Sequence, residues 1–172
     1  HLPSSKYFLS ESKKRLVFDE LLLLQLKFLI KRNNKKKYVL KSNFQNQKSL
    51  LNDFFCQIPF KLTNSQVNVF EEIKTDLSSI NPMSRLLQGD VGSGKTIIAI
   101  ASLVFIIERG FQGAFMVPTE VLADQHYQNL LKILSPLLIS VELLTGNTSQ
   151  KERRRILNDL VNGQINILVG TH

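Results

Sequence analysis

Eight consecutive residues, Gly89-Asp90-Val91-Gly92-Ser93-Gly94-Lys95-Thr96, fit the pattern G-x-x-x-x-G-K-[ST]. A strand-like run, Met83 to Gln88, leads into them, and an apolar helical run, Ile97 to Ile107, leads out. A strand, a glycine loop and a helix in that order belong to an α/β sheet whose helix N-terminus faces a ligand. The glycines let the backbone curl so that successive N–H groups point inward at an anion. The positive end of the following helix faces the same anion. Lys95 is then within reach of β- and γ-phosphates, and the Thr96 hydroxyl is suited to hold Mg²⁺. The bland alternative is a tight glycine turn that binds nothing; the flanking strand and helix argue against it.

The 172 residues are enough for one sizeable core, or one core with a small appendage. The formal net charge is +8, which favours a polyanionic partner, nucleic acid being the commonest. An AT-rich coding sequence loads a chain with Lys, Asn, Ile and Phe and produces the same excess, so charge alone decides nothing. The one cysteine, Cys56, excludes an internal disulfide and a Cys-rich metal site and fits a reducing cytosol. It stands in an apolar run and is expected to be a buried core thiol. No signal peptide is visible, and the Leu21–Ile30 run is short and interrupted by Gln25 and Lys27, so no membrane association is expected. The chain starts on His1 and stops on His172 just after a strand, and is expected to be a piece of something longer.

Residues 1–55 differ in character from the rest. Ser10 or Ser12 is expected to cap a helix running to about Ile30, apolar over most of its circumference and therefore covered on several sides. The run Lys31-Arg32-Asn33-Asn34-Lys35-Lys36-Lys37 reads as a solvated connection or, more sharply, as a duplex-facing patch. A short helix is expected from about Gln47 to Phe55. Thr63 and Gln66 form a capping box at the start of a further helix. Strands then alternate with helices: about Arg85–Gln88, Ala114–Val117, Ile139–Leu144 and Ile165–Val169 are the expected strands. Strands this apolar, separated by helices, imply a parallel sheet covered on both faces. The loops at their carboxyl ends carry the polar and glycine chemistry.

Those loops resemble a known family. Gly89–Thr96 resembles motif I of the superfamily 2 helicases, in the form seen in the RecG family of DNA helicases. Pro118-Thr119-Glu120-Val121-Leu122-Ala123-Asp124-Gln125-His126 resembles motif Ia, and Leu143-Leu144-Thr145-Gly146 resembles motif Ib. Phe60-Lys61-Leu62-Thr63 with Gln66 resembles the adenine-side motif, and Gly170-Thr171-His172 the segment shortly before the acidic motif II. Arg15 to Gln25 resembles the helical linker joining a DNA-binding wedge to a motor, and His1-Leu2-Pro3 matches its start loosely. The motor motifs alone also suit the transcription-repair coupling factor, which usually has Phe where Ser93 stands and lacks the linker.

The resemblance implies a RecA-like P-loop NTPase fold, truncated and preceded by a helical linker: residues 1–58 the linker, 59–172 the incomplete ATP-binding lobe. It implies ATP and Mg²⁺ as cofactors, with Gly89, Asp90, Val91, Gly92, Ser93, Gly94, Lys95 and Thr96 around the phosphates and Thr96 on the metal. Gln66 and Phe60 fall on the adenine side, although Gln66 has the capping box as a purely structural use. Thr119, Thr145 and Gly146 would hold DNA phosphates at helix starts, or serve only as caps and turns. Arg153, Arg154 and Arg155 read as a solvated face before a DNA contact. The partners implied are branched double-stranded DNA, a second RecA-like lobe and a wedge domain, in a bacterial cytoplasm. Motif II and an arginine finger, which phosphoryl transfer needs, have no match in these residues, so the chain alone is expected to turn over little ATP. Two other readings stay open on the residues: a phosphate-loop kinase, for which no lid or catalytic Arg or Asp is evident, and a nucleotide-binding module without activity.

Overall fold

Ser5, rather than Ser10 or Ser12, starts the first helix: its Oγ accepts the Phe8 N–H at 3.3 Å. In this computed structural model, which describes residues 5–33 and 49–171, that helix is α1 (Lys6–Asn33). His1-Leu2-Pro3, the stretch 34–37 of the basic run, the expected helix start at Gln47 and His172 lie outside the described residues. The chain divides into two compact units, residues 1–39 with 80–82, and residues 40–79 with 83–172. In the first, the apolar side chains of α1 are exposed, Leu16 65%, Leu23 61% and Ile30 59%. The cover expected for them is not found among the described residues. No described helix is long and apolar enough to cross a membrane.

The second unit runs α2 (Leu50–Gln57), α3 (Asn64–Leu77), α4 (Lys95–Ile107), β1 (Gly113–Met116), α5 (Glu120–Leu134), a 3₁₀ turn (Ser135–Leu137), β2 (Val141–Leu144), α6 (Gln150–Val161) and β3 (Ile167–Gly170). The three strands are parallel in the order β1-β3-β2, with Phe115 and Leu143 both in register with Val169. Side chains alternate between the faces of a strand. On one face Phe115 meets His126 of α5, ring centroids 5.0 Å apart, and a Cβ at Gly113 would strike Leu103 of α4. On the other, Glu142 receives a hydrogen bond from Arg155 of α6. The central strand is accordingly the most buried, with Ile167 and Val169 at 0% exposure.

The helix α4 is apolar nearly all round and buries Ile97, Ile98, Ile100, Ala101, Val104 and Phe105. A relay of rings, Phe54–Phe55–Phe70–Phe105, with centroids 5.4, 5.6 and 6.5 Å apart, ties α2, α3 and α4 into one core. Leu51 and Phe54 face that core one helical turn apart. Cys56 falls on the outer side of α2 and is exposed, contrary to the expectation of a buried thiol.

The expected strand at Arg85–Gln88 does not form. Residues 83–90 form no regular element and pair with no strand among the described residues, and Leu86 is 82% exposed. An apolar run supplies side chains for a strand; the ladder needs a neighbour, and the neighbours here are elsewhere. Arg85 instead reaches Glu72 and Asp76 of α3, fixing the segment that leads into the glycine loop.

Candidate functional site

Every described α-helix except α4 starts with a serine or threonine whose side-chain oxygen accepts a first-turn N–H. Ser5, Ser49, Thr63, Thr119 and Ser149 do so for α1, α2, α3, α5 and α6. The residue before α4 is Gly94, left-handed at φ 83°, and it offers no side-chain cap. A helix leaves its first N–H groups without internal partners. Here those of Lys95 and Thr96, and those of Gly92 and Gly94 before them, meet no acceptor among the described residues. The positive end of α4 is thus left open toward the loop, where an anion fits.

The glycines explain the loop's shape. Gly92, at φ 80°, has open space where a Cβ would stand; Gly94 has none, because the Gln66 Nε2 lies 2.3 Å from that position. Gln66 is placed there by its capping box. Its Oε1 accepts the Thr63 N–H at 2.8 Å, while its Nε2 donates to the Ser93 carbonyl at 2.9 Å. One amide therefore links the start of α3 to the loop. Lys95 is half-buried, and its Nζ donates to the carbonyls of Gly89 and Asp90, both at 2.7 Å. The ammonium sits at the mouth of the loop, on acceptors that a phosphate could replace. Thr96 follows on the first turn, half-buried; Asp90, Val91 and Ser93 are exposed. The free amides, the ammonium and the hydroxyl together suit a polyphosphate with its metal.

Phe60 is half exposed and lines an open cavity of about 320 Å³ with Phe55, Lys61, Leu62, Val67 and Phe70. Val67 follows Gln66 on α3, so one wall of this cavity is next in sequence to the residue that reaches the loop; Glu71 lines it as well. A flat heterocycle next to bound phosphates would find aromatic and aliphatic walls there.

The remaining predicted residues gather elsewhere on the sheet's carboxyl edge. Thr119 caps α5 by accepting the Leu122 N–H. The Thr145 N–H is taken by Thr148 Oγ1 at 3.0 Å, closing the turn after β2. The N–H groups of Gly146 and Asn147 have no partner among the described residues. Two residues that the motif reading gave no role join these places: Glu120, on the first turn of α5, accepts a hydrogen bond from Asn147 Nδ2. Nothing in sequence spacing signals that pair, which is 27 residues apart. Arg153, Arg154 and Arg155 are all exposed, and Arg155 pairs with Glu142, Glu152 and Asp159. Among the described residues no group of three His, Cys, Asp or Glu side chains is arranged to hold a metal.

Residues 63–172 match the family model described as DEAD/DEAH box helicase. Over its whole length the chain is 45% identical to an ATP-dependent DNA helicase RecG from Synechocystis sp., covering 21% of that protein. It is 44% identical to the RecG of Borreliella burgdorferi, of which it covers 25%. The fold matches a solved structure of RecG bound to a three-way DNA junction with a TM-score of 0.80 and 43% identity, over all of this chain and 24% of that one. The chain spans about a fifth to a quarter of the length of these relatives.

Proposed function

The chain belongs to the DEAD/DEAH box helicase family, and on that footing we propose that it is the linker and first motor lobe of an ATP-driven DNA helicase that remodels branched DNA. The reading rests above all on the uncapped, lysine-bearing start of α4. The similarity to RecG over the whole of this chain supports the DNA half of it. Residues 1–58 serve as the linker, with α2 as its anchor in the core of the larger unit, and 59–172 as the lobe. The exposed apolar side chains of α1 suit it to docking against a wedge domain. Replication forks and four-way junctions in recombination and repair, in a bacterial cytoplasm, are the setting this reading implies.

Bound Mg·ATP would supply the energy of phosphoryl transfer; the residues of this chain hold and orient it. Lys95, whose Nζ is on the Gly89 and Asp90 carbonyls, would hold β- and γ-phosphate oxygens, and the Thr96 hydroxyl would serve the metal. Gln66 need not choose between cap and nucleotide. A side-chain amide has two N–H donors and two acceptor sites; its bonds to Thr63 and Ser93 use one of each, which leaves one of each for an adenine edge. Phe60 lines the cavity into which the base would extend. At the start of α5 and in the turn after β2, Thr119, Thr145 and Gly146 would meet a DNA phosphate; the open amide there is that of Gly146, since the Thr145 N–H is taken by Thr148 Oγ1.

Thermal unfolding with and without Mg·ATP tests the site. Wild type is expected to gain stability with nucleotide as mass action requires, and Lys95→Ala to lose that gain while melting normally without it. Equal gains for both would refute the reading. No carboxylate pair follows β3 within the 172 residues, so the purified chain is expected to release phosphate at or near background; DNA-stimulated steady-state turnover would contradict this.

A further inference from the structure

We infer that Glu120 and Asn147 form a clamp that positions two DNA-phosphate sites as one, an inference that rests on the helicase reading above. The two candidate phosphate-holding places come from distant stretches, the start of α5 after β1 and the turn after β2. The strands beneath them are not neighbours, because β3 lies between. Loops two strand spacings apart have no backbone contact to hold them in step.

Glu120 crosses that gap. It is half-buried on the first turn of α5, where the helix dipole favours a carboxylate, and its Oε2 accepts the Asn147 Nδ2–H. Its Oε1 lies 2.9 Å from the position a Cβ would take at Gly146, so the carboxylate packs over the bare glycine backbone. Gly146 is therefore a residue without a side chain for a contact reason: its φ is not left-handed. The clamp leaves the N–H groups of Gly146 and Asn147 without a partner among the described residues, while Thr148 Oγ1 and Thr119 Oγ1 hold the two turns from within.

An acidic side chain beside a polyanion would by itself repel it. The geometry points to the opposite net effect. Glu120 is a positioning residue, and what it contributes is the fixed spacing of the two turns. The hydrogen bond carries that role, so a neutral acceptor of the same shape should serve nearly as well.

The test uses the full-length enzyme carrying this segment, with DNA-stimulated ATP hydrolysis measured against the concentration of a synthetic fork. Glu120→Ala and Asn147→Ala are each expected to raise the half-saturating DNA concentration about tenfold, the effect of one lost charge-assisted hydrogen bond. Turnover at saturating DNA and the KM for ATP should change less than about twofold on that same ground, since the clamp touches neither nucleotide nor loop. Glu120→Gln should restore half-saturation to near wild type, and the double variant should be no worse than either single one. A merely structural role would lower the melting temperature without this split between DNA and ATP. Tighter DNA binding by Glu120→Ala, failure of Glu120→Gln to rescue, or additive single effects would overturn the clamp while leaving the helicase reading intact. A wild-type enzyme with no DNA-stimulated turnover would overturn both.

Discussion

Gly94 carries two constraints and Gly92 one. Both adopt left-handed φ, but only at Gly94 does a neighbouring side chain fill the space of a Cβ. Gly92→Ala should cost about 1 kcal/mol, the usual penalty for a side chain in that conformation. Gly94→Ala should cost about 1–3 kcal/mol, and it should also displace Gln66 from Ser93 and weaken the nucleotide-induced stabilisation. Chemical denaturation of the two variants checks this; equal costs would show that the contact with Gln66 is immaterial. The motif made both glycines visible in the sequence. It could not show that Gln66, on another helix, is the reason Gly94 has no tolerance. Glu120 was likewise present in the motif Ia resemblance without a role, because its partner Asn147 is a surface asparagine with nothing to mark it.

At the scale of elements, caps were the most legible feature. Thr63 with Gln66 and Ser149 with Glu152 were both readable as capping boxes; the structure has the first in full, and Ser149 caps α6 by accepting the Glu152 N–H. Thr63→Ala should destabilise by about 1 kcal/mol. It should also loosen Gln66, and so lower ATP affinity, which an equivalent Ser149→Ala should leave alone. Isothermal titration of both variants separates the two effects. Two arginines fasten elements together. A hydrogen bond from Arg85 holds the Asp76 carboxyl below the usual carboxylate range, and those from Arg155 do the same for Glu152. A carboxyl with a depressed folded-state pKa stabilises the fold above its unfolded pKa, near pH ~4. That stabilisation is lost as the pH falls through the folded-state value. Stability should therefore decline below about pH 4, and Arg85→Met and Arg155→Met should each flatten the decline while lowering stability at pH 7. A melting series from pH 3 to pH 7 (about the range these carboxyls titrate over) reads both; an unchanged acid slope in the variants would discount the pairs.

At the scale of the whole molecule, the sheet is open. The outer edge of β1 pairs with nothing among the described residues, and Met116 on that strand is 65% exposed. An unpaired parallel edge with an apolar side chain beside it favours pairing with another chain. The 172-residue chain should therefore associate as concentration rises, and Met116→Lys should shift it toward monomer. Sedimentation velocity across a dilution series would show this; a concentration-independent monomer would refute it. The long apolar helix α1 adds a second exposed surface of the same kind. Its sequence demanded cover from several sides, and the described residues leave its apolar side chains exposed.

The shape of the glycine loop, the caps of α3, α5 and α6, and the alternation of strand and helix after α4 needed only the sequence, because each depends on groups within a few residues of one another. Backbone sterics, a side-chain oxygen three residues from an N–H, and the period of the apolar positions act locally. The strand order, with β3 between β1 and β2, needed the fold. So did the exclusion of residues 83–90 from the sheet, the outward turn of Cys56, the ring relay through α2, α3 and α4, and the link from Glu120 to Asn147. Each is a choice among distant partners of similar chemistry. Only simultaneous packing, in which a side chain filling one space denies it to another, resolves such a choice.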